Sequence, residues 1–135
     1  MIGAFIGDLA AWTWNHEQRK FYPLLFSDVA QKSDYTDLML HTAKYLLQYP
    51  SITRVEFMRI HQSYYGVNNA KANAEYDLLR AIVIGWIYDA DEISSAIHKY
   101  CILDDKEELY ASHFMANLIY KLRTGFTKKD AAQVE

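Results

Sequence analysis

The sequence predicts an all-α fold in one compact domain, and three observations predict it. Only two prolines and five glycines punctuate 135 residues, so few positions force a turn. Apolar residues recur at three- and four-residue spacing, while strict alternation is scarce. Capping residues stand ahead of the periodic runs. With 51% hydrophobic residues, a chain of this length can bury a core of its own.

A first helix is expected over residues 2–12, with Ile2, Phe5, Ile6 and Leu9 on one face. Residues 15–33 read as irregular, around Pro23. Ser33 or Asp34 caps a helix over 35–49, whose inner face is Leu38, His41, Thr42, Tyr45, Leu46 and Tyr49; Pro50 stops it. Thr53 caps the next, with Glu56 as its capping-box partner, and Gly66 ends it near residue 65. Residues 66–73, GVNNAKAN, read as a polar loop.

From Glu75 the run YDLLRAIVIGWIYDA is rich in β-branched residues, yet its length favours a buried helix, with an interruption allowed at Gly85. Asp91 is expected to cap a helix over 92–101. Asp104 or Asp105 caps one over 106–123, with Leu109, Phe114, Met115, Leu118, Ile119 and Leu122 as its core face. Gly125 stops it, and Thr127 caps a short last helix from Lys128.

The charge balance, 17 acidic against 14 basic residues, gives no electrostatic footprint for nucleic acid. No apolar run is long enough to span a bilayer, and MIGAFIGDLAAW lacks a basic n-region and contains Asp8, so a cytoplasmic protein is expected. Cys101 is the single cysteine and reads as a small core residue within YCIL. The five histidines show no helical pair with a nearby acid, so no zinc site is expected.

Three stretches carry a resemblance. IGAFIGDLA (2–10) is similar to an IGAIIGDxxG opening. DYTDLMLHTAKYLL (34–47) is similar to FTDDTxMTxAxAxAL. LLRAIVIGW (78–86) with LIYKLRTGFTKKD (118–130) is similar to MRVSPVGW followed by a helix ending RTGxSxEE. In this order they resemble the N-terminal half of the ADP-ribosylglycohydrolase family, which removes ADP-ribose from proteins or small molecules. The resemblance touches most of this chain but only about the first half of an ordinary family member.

The resemblance implies a pair of Mg²⁺ ions held by hard oxygen ligands, which orient the ribose and help to activate water. Of the family's Thr-Asp-Asp-Thr, Thr36 and Asp37 match, while Leu38 and Met39 replace the rest. The family's later GDTDT-like motif does not occur here. The glutamate that often closes the opening motif falls on Asn15, which cannot act as a general base. AEYDLLR (74–80) stands where the family's glycine loop would lie.

The first reading is therefore a catalytically degraded relative with no cofactor, acting by binding a protein. Inhibition of a bacterial defence complex by a phage or mobile element is a role such a remnant would suit. The aromatic residues Trp12, Trp14, Phe21 and Tyr22, with Tyr64 and Tyr65, are its candidate partner surface, or else they cover the core in place of the missing half. A second copy of the chain is an alternative partner. Under the second reading, the protein is an ADP-ribosyl hydrolase or an ADP-ribose-binding protein, with a reduced Mg²⁺-dependent site lined by Asp8, Asn15, Thr36, Asp37 and Arg80.

Overall fold

A computed structural model describes residues 33–61 and 70–133, together with Gly3, which is helical. Every regular element among the described residues is a helix, as the spacing predicts. They are α1 (Asp34–Gln48), α2 (Arg54–Ile60), α3 (Ala70–Ile87), α4 (Ala90–Tyr100), α5 (Lys106–Arg123) and α6 (Lys128–Ala131). Helix α3 is the centre: α1 packs on it, α5 makes the most extensive contact with it, and α4 touches both α3 and α5. Helix α2 sits on α4, and α6 on α5. No described helix is long and apolar enough to cross a membrane.

Ser33 is the extended N-cap of α1, and Asp34 and Asp37 stand in its first turn, where the helix dipole favours acids. The buried stripe is Met39, Thr42, Ala43 and Leu46, flanked by Thr36 and Leu38. His41 and Tyr49 are exposed, contrary to the expected inner face. The i, i+3, i+4, i+7 set starts at Met39 instead, and Tyr45 and Tyr49 stack at its edge with ring centroids 5.8 Å apart.

Helix α2 begins with the expected capping box. Thr53 Oγ1 accepts the Glu56 N–H at 3.3 Å, and the Glu56 carboxylate accepts the Thr53 N–H at 3.1 Å. The helix ends at Ile60, short of the expected residue 65. His61 leaves helical geometry and stacks its ring on Phe57, 4.1 Å between centroids, within the core. Gly66 lies outside the described residues.

Helix α3 starts at Ala70, so the end of the expected loop is helical; the alanines there are strong helix formers. It also runs unbroken through Gly85. That glycine serves close packing rather than an interruption. A Cβ built on it would lie 2.3 Å from the Ala116 carbonyl oxygen and 2.9 Å from Ile119 Cβ.

The same crossing explains the inner face of α5. Ser112 and Ala116 are its fully buried residues, because only small side chains fit where two backbones nearly touch. Leu109 and Met115 pack beside them, while Phe114, Leu118 and Ile119 are half-buried and Leu122 is exposed, which corrects the expected core face.

Helix α4 is capped by Asp89, not Asp91: the Glu92 carboxylate reaches back to the Asp89 N–H at 3.4 Å, while Asp91 is an exposed first-turn acid. Its buried face is Ile93, Ala96, Ile97 and Tyr100. Asp105 caps α5 by accepting the Glu107 N–H at 2.9 Å. Gly125 holds φ 98°, a conformation that favours glycine, and Thr127 caps α6.

Gly85→Ala is expected to destabilise the protein by about 2–3 kcal/mol, since the contact it creates is with backbone and cannot swing aside. Urea unfolding of the variant against the parent checks this.

Candidate functional site

The polar centre of the molecule grows from one stripe of α3. Asp77, Arg80, Ala81 and Ile84 lie at i, i+3, i+4, i+7, and each is at most 2% exposed. Two of these four are charged, so they must be paired. Arg80 Nη1 donates to Asp77 Oδ1 at 2.9 Å. The same carboxylate accepts the Ile102 N–H at 2.8 Å and the Leu103 N–H at 2.9 Å through Oδ2. One side chain thereby ties α3 to the link between α4 and α5.

Burial raises the Asp77 carboxyl above its ordinary range, against the pull of the Leu103 N–H, Arg80 and the Ile102 N–H. Cys101 lies alongside, its Sγ 3.8 Å from the Asp77 carbonyl oxygen. Burial pushes that thiol up to about 12, so it is an inert core thiol rather than a nucleophile. His61, near Arg80, is held down to about 4, by burial first and then by the charge of Arg80. It is therefore neutral at pH 7.

The residues expected to line an ADP-ribose site divide as follows. Asp8 and Asn15 lie outside the described residues, as do Trp12, Trp14, Phe21, Tyr22, Tyr64 and Tyr65 of the expected partner surface. Thr36 is buried and Asp37 half-buried in the first turn of α1. Arg80 is fully buried against Asp77. Leu38, where the resembled family carries its second carboxylate, is 0% exposed. Among the described residues no three His, Cys, Asp or Glu side chains are grouped to hold a metal. For the Mg²⁺ pair that the resemblance implies, this turn offers one hydroxyl, Thr36, and one carboxylate, Asp37, with Leu38 in the core beside them.

The sequence reading missed a surface groove. It opens where α1 gives way to α2, has a volume of about 570 Å³, and its lining includes Tyr45, Tyr49, Pro50, Ile52 and Ile60, with the oppositely charged Glu56 and Arg59. Tyr49 is 54% exposed. Leu47 of α1 and Val55 of α2 are exposed as well. The signal that could have found it is the tyrosine spacing running into a proline: Tyr45 and Tyr49 share one helix edge, and Pro50 turns the chain back along them.

No family model, curated protein or solved structure matches the chain.

Asp77→Ala is expected to cost about 3–5 kcal/mol, because it removes the buried carboxylate that Arg80 and the Ile102 and Leu103 N–H groups share. Arg80→Met combined with it should cost less than the two single changes added, and chemical denaturation of all three variants measures that coupling.

His61 supplies a pH dependence. Its folded value, about 4, lies below the ordinary 6.5, so the unfolded chain binds more protons between those limits. Stability is then full above pH 6.5 and falls as pH drops toward 4, by about 2–3 kcal/mol from this group. Urea midpoints across that range should show a shallower decline in His61→Phe.

Proposed function

We propose that this chain is a binding protein that works without catalysis, on a helical frame resembling the N-terminal half of an ADP-ribosylglycohydrolase. The observation that carries the reading is Leu38. It is wholly buried in the α1 face, at the position where the resembled family needs a metal-binding carboxylate. A leucine there contributes to the core and gives a cation nothing. The Asp77–Arg80 pair supports the same reading, since its charges hold helices together instead of facing a ligand.

The groove between α1 and α2 is the proposed contact surface. Exposed tyrosine beside arginine is the composition from which protein interfaces draw most of their energy. The partner is a protein that presents an apolar or aromatic side chain to Tyr45 and Tyr49 and a carboxylate to Arg59. Thr36 and Asp37 favour a second reading, an ADP-ribose reader, because they keep a hydroxyl and a carboxylate in one helical turn.

Calorimetric titration of ADP-ribose, with and without Mg²⁺, separates the two. No heat in either condition is expected. Metal-dependent binding that Asp37→Ala abolishes, without unfolding the protein, would establish the second reading instead. For the first, Tyr49→Glu and Arg59→Glu should each abolish capture of the protein partner, and capture unchanged in both would remove the groove from the proposal.

A further inference from the structure

A second pair of residues lies apart from the polar centre and the groove. His98, in the last turn of α4, and His113, in the middle of α5, bring their rings together edge to face, 5.5 Å between centroids and 66° between planes. His98 is exposed and His113 half-buried. Neither ring makes a hydrogen bond within the described structure; the polar contacts of these residues are through their backbone carbonyls. Arg54 Nη1 donates to the His98 carbonyl at 2.5 Å, and Asn117 Nδ2 donates to the His113 carbonyl at 2.9 Å. Both backbones are thus held while both imidazoles keep their lone pairs.

The separation has a direct chemical meaning. Two imidazoles bound to one tetrahedral ion, with metal–nitrogen bonds of about 2.0–2.1 Å, place their ring centroids about 5.2 Å apart. The observed spacing is close to that. Ligation requires the exposed His98 ring to rotate out of its edge-to-face orientation, so that one nitrogen of each ring converges on the ion. His113 lies below its ordinary pKa, through burial and the neighbouring His98, so its ring is neutral at pH 7 and able to ligate.

We infer that His98 and His113 form a two-histidine site for a borderline divalent transition ion such as Zn²⁺ or Cu²⁺, linking α4 to α5. Imidazole suits these ions and not Mg²⁺, which prefers oxygen. Among the described residues no third His, Cys, Asp or Glu joins the pair, so water completes the coordination. The site does not rest on the ADP-ribose or protein-binding readings, and it involves none of their residues.

The test is thermal unfolding of tag-free protein with Zn²⁺, Cu²⁺ or Mg²⁺. An ion that binds the folded chain raises its melting temperature, here by about 5 °C at tenfold excess over the dissociation constant. Zn²⁺ and Cu²⁺ are expected to do so and Mg²⁺ not. His98→Gln, on the exposed side, should keep the metal-free melting temperature and lose the shift, and His113→Gln should lose it too. No shift with either ion in the parent, or the full shift retained in either variant, overturns the site.

Discussion

The fold depends on the Asp77 carboxylate more than on any other group. It accepts two consecutive backbone N–H groups, Ile102 and Leu103, and holds Arg80. A hydrophobic contact tolerates sliding, but a carboxylate that must meet two successive amides tolerates one register only. Once that register is set, α4 ends against α3, and α5 starts where it can cross α3 at Gly85. The close approach of Gly85 to Ala116 then requires a correctly placed α5, since a small shift along the helix would bring a larger side chain to the crossing. The polar tie and the tight crossing are two halves of one constraint on α3.

Two arginines extend the same logic to the helix ends, which leave carbonyls without helical partners. Arg54 donates to the carbonyls of His98 and Cys101 at the C-terminus of α4. Arg123 donates to those of Gly85 and Tyr88 at the C-terminus of α3, and to the Asp89 carboxylate that begins α4. Each guanidinium lies where the helix dipole is negative, so the hydrogen bonds and the field act together. Each also joins elements distant in sequence. The small domain thus closes its helix ends from outside, and the short connections between helices need not supply those donors themselves.

What could be read from the sequence follows from range. The Thr53–Glu56 box, the Gly125 stop and the Thr127 cap are local, and the chain states them within four residues; for α5 it offers Asp104 and Asp105, and the structure uses the second. The helical character of AIVIGWI is also legible, because length outweighs β-branching in a buried segment. Tertiary decisions are not written locally. The sequence reads Asp91 as the cap of α4, but the helix starts one residue before it, and Glu92 reaching back selects Asp89. Gly85 resembles a break until Ala116 is seen against it. Arg80 resembles a ligand-binding residue until Asp77 is seen three positions before it on a buried stripe. The candidate site was least legible. Of its expected ADP-ribose residues only Thr36, Asp37 and Arg80 fall within the described structure, and the tyrosine groove and the His98–His113 pair each need two elements to exist.

A buried ion pair is weak evidence of stability, since apolar residues of similar volume often serve as well or better. The pair in α3 therefore makes most sense as a device of specificity. Replaced by leucines, residues 77 and 80 would still fill space beside the α4–α5 link, but the amides of Ile102 and Leu103 would lose their acceptor, and the Gly85–Ala116 crossing alone would choose among neighbouring registers. Function then inherits that choice. The backbone of His98 is placed by the end of α4, and His113 by the start and crossing of α5, so the spacing between the two rings is a consequence of how Asp77 fixes the link between their helices. Leu38 carries the opposite message on α1: at a position where a carboxylate would need comparable partners, the chain places a side chain that needs none. Charge in this interior is retained where it sets geometry, and on the proposed reading the hydrocarbon of Leu38 stands where ADP-ribose chemistry would have required charge.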